Sequence, residues 1–142
     1  MDINDLATEL LAGLAYGVVG LALLMIGYWV IDLLTPGRLG HVVYMVRSPN
    51  AAAVVASGLL SIGTITTTAI LTSDDDFVRG LLGSAGYGLL GIALLAVSFV
   101  VIDRLTPGDL GAMLTEERWN PASLITASAH LALGGVIAAA IS

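Results

Sequence analysis

The sequence contains no cysteine and no lysine, and few charged side chains of any kind. Without cysteine, the chain can form no disulfide, thiolate metal site or thiol nucleophile. Its five basic residues against eleven acidic ones give a net charge of −6, which excludes the basic face that binds nucleic acid. Charged residues make up 11% of the chain, against about a quarter in an ordinary soluble domain. They are too few to cover a water-exposed surface.

Apolar residues take their place, at 57% of the chain and a mean hydropathy of +0.96. They concentrate in four segments, at about residues 11–34, 51–71, 81–105 and 121–141. Each segment is long enough to cross a hydrocarbon core of ~30 Å as a helix. Membrane-spanning strands are about 10 residues long and alternate in polarity, and these segments do neither. The sequence therefore predicts an all-α membrane protein with four transmembrane helices, in contact with the lipid bilayer.

Proline and glycine mark the segment boundaries. Thr35-Pro36-Gly37 and Thr106-Pro107-Gly108 follow the first and third segments, where proline cannot continue a helix. Ser48-Pro49 and Asn120-Pro121 are typical of an N-cap followed by proline in the first helical turn. The run from Ser73 to Asp76 predicts a turn with one aspartate capping the next helix.

The sequence repeats itself at a constant offset of 71 residues, as between Tyr16 and Tyr87. Tyr16-Gly17-x-x-Gly20 matches Tyr87-Gly88-x-x-Gly91, and Asp32-x-Leu34-Thr35-Pro36-Gly37 matches Asp103-x-Leu105-Thr106-Pro107-Gly108. This similarity predicts two tandem two-helix repeats, 1–72 and 73–142, within one integrated membrane domain. Because each unit crosses the membrane twice, both hairpins enter from the same side and are parallel in orientation.

The arginines predict the orientation of the chain. Four of the five lie in or beside the loops 35–49 and 106–120, namely Arg38, Arg47, Arg104 and Arg118. The opposite side has only Arg79. The positive-inside rule places arginine-bearing short loops in the cytoplasm. We therefore expect both loops in the cytoplasm and both termini outside.

Three motifs resemble a known family. They are the paired Asp-x-x-Thr-Pro helix ends, Asn50-Ala51-Ala52 at the start of the second segment, and Ser57-Gly58 within it. Together they resemble the bacterial inner-membrane family called domain of unknown function 350, over nearly the whole chain. The resemblance implies a duplicated two-helix unit in the bacterial plasma (inner) membrane. It also implies genes near envelope-stress and polyamine-related genes, and no established activity.

Small residues form a stripe along the first and third segments. The four glycines of the first segment keep to one helical face, and the third segment has small residues at the same spacing. The two sets are Gly13, Gly17, Gly20 and Gly27, and Ser84, Gly88, Gly91 and Ser98. Small residues let helix backbones approach closely in a membrane. The stripes predict either packing within the four-helix bundle or packing between protomers of a homo-oligomer.

Asp32 and Asp103 fall in the last turns of the first and third helices, where a carboxylate meets the negative end of the helix dipole. Lipid nearby raises the cost of the charge. We expect compensation by ion pairs Asp32–Arg47 and Asp103–Arg118, or by the crossed pairs. One interpretation is that these ion pairs fix the geometry of the hairpins. The other is that the carboxylates form a cation or proton site.

His130 lies near the middle of the fourth segment, and its counterpart at the repeat offset is Leu59. Burial there favours the neutral imidazole. One interpretation is a structural hydrogen bond to a hydroxyl of the second helix, such as Ser61 or Thr64. The other is a proton-relay or ligand-binding role, since ionisable groups inside a membrane are often functional.

The sequence has no phosphate-binding glycine loop, no metal-ligand spacing and no convergent catalytic set, so we predict no enzyme, no cofactor and no metal. The leading hypothesis is a homo-oligomeric structural or envelope-stress component. A second is a channel or transporter subunit for ions or small solutes. A third is a membrane anchor for a cytoplasmic partner, because loop residues 40–47 are apolar and 111–118 are acidic.

Overall fold

The structure is a computed structural model that describes residues 3–35, 38–73, 76–105 and 110–142, with residues 4 and 110 as backbone only. These residues form six α-helices and no strand. The helices are α1 (Ile3–Leu34), α2 (Leu39–Tyr44), α3 (Pro49–Leu71), α4 (Phe77–Leu105), α5 (Leu110–Leu114) and α6 (Pro121–Ile141).

Four of the helices are long and apolar enough to cross a membrane, which confirms the predicted all-α fold with four candidate transmembrane helices. The spans are Asp5–Leu34, Pro49–Leu71, Phe77–Leu105 and Pro121–Ile141. The shortest has 21 residues, and at ~1.5 Å per residue it covers the ~30 Å of a hydrocarbon core.

The predicted caps are present at the starts of α3 and α6. The Ser48 hydroxyl accepts from the Ala51 backbone N–H, and the Asn120 side chain accepts from the Ala122 backbone N–H. Proline follows each cap in the first turn, as expected. Asp76 accepts from the Arg79 backbone N–H at 2.9 Å, which supplies the predicted aspartate cap of α4. Residues 36–37, 74–75 and 106–109 of the predicted turns lie outside the described ranges.

The two connections contain the short helices α2 and α5, which the sequence analysis did not predict. Leu39 and Val42 of α2 are buried against Ala51 and Val55 of α3. Leu114 of α5 is fully buried beside Val54 and Phe99. Apolar side chains thus hold both short helices on the bundle.

The helices pack with α3 at the centre. The contact between α3 and α6 is the most extensive, and α3 also contacts α1 and α4, while α4 contacts α1 and α6. Within the apolar window of each membrane-spanning helix, 44% of α3 is buried inside the protein, whereas only 11% of α1 is buried. Most of the α1 surface therefore faces lipid or another protein.

Two hydrogen bonds fix the relative direction of α3 and α6. The Asn120 backbone N–H donates to the Asn50 side-chain carbonyl at 2.8 Å, and the Thr72 hydroxyl donates to the Ile141 carbonyl at 3.1 Å. The first joins the starts of the two helices and the second joins their ends. We call these the connection end and the termini end of the bundle. The duplication into units 1–72 and 73–142 stays a prediction.

Candidate functional site

Asn50, in the first turn of α3, ties that helix to the second connection and is fully buried. Its side-chain amide donates toward the carbonyls of Met113 (3.4 Å), Glu116 (3.3 Å) and Arg118 (2.8 Å). Its carbonyl oxygen accepts from the Asn120 backbone N–H at 2.8 Å and the Ser123 hydroxyl at 3.1 Å. Both amide protons and both lone pairs are thereby used.

His130 lies between α6 and α3 and is 2% exposed. Its Nδ1 is 3.4 Å from the Ser57 hydroxyl, while the Ser61 hydroxyl donates to its backbone carbonyl at 2.8 Å. The imidazole therefore meets a hydroxyl of the second long helix, but the residue is Ser57 rather than Ser61 or Thr64. The Thr64 hydroxyl donates to the Leu60 carbonyl of its own helix instead. His130 Nε2 is buried without a hydrogen-bond partner in the described part of the chain.

Asp32 stabilises the turn between α1 and α2. Its carboxylate accepts a hydrogen bond from the Leu39 backbone N–H at 2.5 Å. Arg47, its predicted partner, is exposed and adopts a left-handed backbone with φ 58°, and within the described ranges no ion pair joins the two. The pairing of Asp103 with Arg118 stays a prediction, because residues 106–109 beside Asp103 are outside those ranges.

The small residues of α4 are packed inside the bundle. Ser84 is fully buried. A Cβ added at Gly91 would lie 2.6 Å from Ile65, and one at Gly88 would overlap Leu23. Ser98 is partly buried. For α4, packing within the protomer accounts for the stripe.

The matching residues of α1 divide into two groups. A Cβ at Gly27 would overlap Ile62, and one at Gly20 would touch Thr66 at 4.0 Å. Gly13 and Gly17 have nothing within 4 Å of an added Cβ. The half of the α1 stripe toward the termini end is therefore open in the protomer.

This open stripe forms one wall of a groove between α1 and α3. Toward the termini end, which we call the termini half, the groove has a volume of about 370 Å³ and is lined by Gly13, Gly17 and Thr66 among others. Toward the connection end it widens to about 990 Å³, with a mainly apolar lining that includes Leu24 and Met25. We call this part the connection half. The Thr66 hydroxyl oxygen is buried without a hydrogen-bond partner in the described residues.

The residues considered for a proton, cation or ligand role do not lie at one common site. His130 lies at the α3–α6 contact, whereas Asp32 lines an interfacial cavity with Arg38 and His41. Thr64 faces the groove between α1 and α3. Among the residues that the structure describes, no group of three or more His, Cys, Asp or Glu side chains could hold a metal ion.

Comparison with known proteins decides the family. The model of the family described as Domain of Unknown Function (DUF350) matches residues 5–141, nearly the whole chain. The chain belongs to the DUF350 family.

Relatives of this DUF350 chain are transmembrane proteins of mycobacteria. The UPF0719 transmembrane protein of Mycolicibacterium paratuberculosis is 37% identical over 142 residues, which cover 100% of this chain and 94% of the relative. The UPF0719 transmembrane proteins of Mycobacterium bovis and Mycobacterium tuberculosis are each 37% identical, over 100% of this chain and 93% of theirs. No solved structure matches the chain. It is thus a membrane protein of unknown function.

The sequence analysis missed the structural roles of Asn50, Ser57 and Thr66. A signal for Asn50 existed, because the offset of 71 pairs it with Pro121 and so exposes a difference between the two halves. Ser57 and Ser61 are four residues apart on one face, which points to a shared contact. Nothing in the sequence distinguishes Thr66 from its threonine neighbours, since its lack of a partner arises only from packing.

Proposed function

We propose that this DUF350 chain is a non-enzymatic, structural component of the membrane that assembles as a homo-oligomer through the termini half of the α1–α3 groove. One observation carries the proposal. Gly13 and Gly17 meet nothing within 4 Å in the protomer, whereas their counterparts Ser84 and Gly88 are buried. A second copy of α1 covers the open stripe.

The spacing of the open glycines suits a partner helix. Gly13-x-x-x-Gly17 is the small-xxx-small arrangement that lets two helices cross with their backbones in close contact. Copies inserted in the same direction are related by an axis along the membrane normal, so their α1 helices are parallel.

The mass of the purified protein in mild detergent tests the assembly. We expect a multiple of the 14.5 kDa chain mass, reduced to one chain by the double substitution Gly13→Ile and Gly17→Ile. Gly86→Ile is a matched control on α4, since Gly86 also has nothing within 4 Å. Gly135→Ile examines the exposed small-residue face of α6 and should leave the mass unchanged. A wild-type monomer, or a monomer produced only by Gly135→Ile, would overturn the proposal.

The orientation is part of the proposal, with the connection end in the cytoplasm and both termini outside the bacterial plasma membrane. The distribution of the arginines supports it. The absence of cysteine makes the test clean, because a single introduced cysteine is the only thiol. In intact cells, a membrane-impermeant maleimide should label Ser142→Cys and not Glu116→Cys. The reverse pattern would invert the orientation.

A role in the envelope-stress response rests on the family resemblance. Deletion of the gene should then lower growth under detergent or antimicrobial-peptide stress, and the wild-type gene should restore it. The Gly13→Ile and Gly17→Ile variant should fail to restore it if assembly is required. Equal growth of the deletion and the parent strain under these stresses would contradict the role.

A further inference from the structure

We propose that the connection half of the α1–α3 groove binds one aminophospholipid, with an acyl chain in the groove and the headgroup against Arg38 and Asp32. Two cavities meet at Tyr28, which lines both. One is the apolar groove, and the other, which we call the polar cavity, has the charged side chains of Asp32 and Arg38 in its lining. The two proposals rest on different residues of α1, because Gly13 and Gly17 line only the termini half of the groove, whereas Met25 and Tyr28 line only the connection half.

The lining of the connection half suits a hydrocarbon chain. Its volume is about 990 Å³, and aliphatic side chains such as Leu24 and Leu60 dominate its walls. The hydroxyls of Thr64 and Thr68 donate to carbonyls of their own helix at 2.9 and 3.0 Å. These two back-bonded threonines place no unpaired donor in the groove.

The groove is long enough to hold much of an acyl chain. Its lining on α3 runs from Ala56 to Thr68. At ~1.5 Å per residue this stretch is about 18 Å long, and it begins about 10 Å from the start of α3 at Pro49. An acyl chain whose headgroup lies at the connection end therefore enters the groove below the membrane surface and extends past the middle of the membrane.

The polar cavity at the connection end offers charges of both signs. It has a volume of about 740 Å³, and Asp32, Arg38 and His41 line it. Arg38 is exposed, and no ion pair to it occurs within the described ranges. The carboxylate of Asp32 uses one oxygen for the Leu39 backbone N–H. The guanidinium thus suits a phosphate, and the second carboxylate oxygen suits a primary ammonium.

The polar cavity is held rigidly beside the groove. Leu39 and Val42 anchor α2 on α3, and the Asp32–Leu39 hydrogen bond joins α2 to the end of α1. In the sequence of the second half an aspartate replaces this cation, because the offset of 71 pairs Arg38 with Asp109.

Substitution of Gly63 tests the groove without disturbing the core. A Cβ at Gly63 meets nothing within 4 Å, so a leucine side chain there extends into the groove. Because Gly63 lines both halves of the groove, the oligomer mass of the variant is measured beside its lipid binding. The probe is phosphatidylethanolamine added to delipidated protein, and the readout is the lipid-bound fraction by native mass spectrometry. Gly63→Leu should lower this fraction at least about tenfold, and Gly86→Leu, on the open surface of α4, should not change it.

Headgroup variants test the polar cavity. Arg38→Gln should weaken phosphatidylethanolamine binding about tenfold, as for a lost charge-assisted contact, and Arg104→Gln should not. Asp32→Asn keeps the acceptor for Leu39 but removes the charge. It should abolish the preference for phosphatidylethanolamine over phosphatidylglycerol, while Asp103→Asn should leave that preference intact. If Asp32 had only a structural role, Asp32→Asn would not change which of the two lipids binds more tightly.

Several results would overturn the proposal. One is equal retention of phosphatidylethanolamine and diacylglycerol, which lacks the phosphate. Another is equal retention by the Gly63→Leu and Gly86→Leu variants. If Gly63→Leu fails to fold, wild-type protein is exposed to phosphatidylethanolamine that carries a photoreactive acyl chain. Adducts should map between Ala56 and Thr68, and adducts confined to other surfaces would contradict the site. The oligomer mass is measured in parallel, so failure of one proposal is distinct from failure of the other.

Discussion

Helices α1 and α4 carry closely similar sequences in different surroundings. Both have small residues at the same spacing, and Tyr16-Gly17-x-x-Gly20 in α1 matches Tyr87-Gly88-x-x-Gly91 in α4. In α4 these residues meet α1 and α3 inside the protomer, at Leu23 and Ile65. In α1 the half of the stripe toward the termini end meets nothing within the protomer. The same local sequence thus serves internal packing in one place and remains available in the other.

The difference follows from the position of each helix. α4 contacts three long helices, whereas α1 contacts α3 and α4 and lies at the edge of the bundle. Asn50 contributes to this asymmetry, because it ties the start of α3 to the second connection and has no equivalent at Pro121. Similar halves therefore build an asymmetric protomer. Paired substitutions, most of them at counterpart positions, test this asymmetry.

The largest effect is expected at Asn50. Asn50→Ala removes a fully buried side chain and leaves the Asn120 backbone N–H and three carbonyls without that partner. We expect a loss of about 3 kcal/mol in the free energy of unfolding in mixed micelles. Asn120→Ala, which removes the cap of α6, should cost about 1 kcal/mol. Equal losses would argue against a contribution of Asn50 to the asymmetry.

Gly134 and its counterpart Gly63 should differ next most. A Cβ at Gly134 would lie 2.9 Å from the Ser61 Cα, so Gly134→Ala must separate α3 from α6. We expect a loss of about 2 kcal/mol, as for an overpacked core. Gly63→Ala meets nothing within 4 Å and should leave stability unchanged. Thermal unfolding in detergent gives both values, and a stable Gly134→Ala protein would argue against the close α3–α6 contact.

A smaller difference is expected between Gly88 and Gly17. The obstacle to Gly88→Ala is the Leu23 side chain, which can move aside, so we expect a loss of about 1 kcal/mol. Gly17→Ala should not destabilise the monomer in detergent, since its added methyl meets nothing. Unfolding under conditions that dissociate the oligomer measures the stability of the monomer alone. Equal destabilisation by both variants would mean that the α1 stripe is packed internally.

The smallest effect is expected at His130, whose counterpart is Leu59. His130→Leu removes the buried Nε2 that has no partner in the described chain, and Ser57 keeps its hydrogen bond to the Val54 carbonyl. We expect a change within about 1 kcal/mol in the free energy of unfolding. A loss several times larger would show that the imidazole is structurally essential. Unchanged stability with a lost cellular phenotype would favour the functional interpretation.

The sequence was sufficient for the number of long helices, the caps of α3, α4 and α6, and the C-terminal ends. These features depend on length, proline and local hydrogen bonds, as at Ser48-Pro49 and at Leu34 before Thr35-Pro36. The sequence did not predict the start of α1, which begins at Ile3 rather than near residue 11. It also did not predict α2 and α5, because their short apolar stretches are equally typical of a loop at the membrane surface. Packing against α3 and the core stabilises them as helices.

The packing partners could not be predicted from the sequence. The offset of 71 assigns the same local signal to Gly17 and Gly88, so no pattern tells which of them is covered. The imidazole of His130 could reach several hydroxyls of α3, and the rotation of α6 selects Ser57. Both outcomes depend on the relative placement of four helices, which is a property of the assembled bundle.

Disulfide cross-linking in native membranes tests the central claim, that a second copy covers the open α1 stripe. The chain has no cysteine of its own, so Gly17→Cys introduces a single thiol. Helices that cross at a glycine bring their Cα atoms within the ~4.4–6.8 Å that a disulfide needs. Mild oxidation should therefore give a covalent dimer of Gly17→Cys and none of Ser84→Cys, the buried counterpart of Gly13. A Gly17→Cys protein that stays monomeric, with Gly13→Cys behaving alike, would contradict the account.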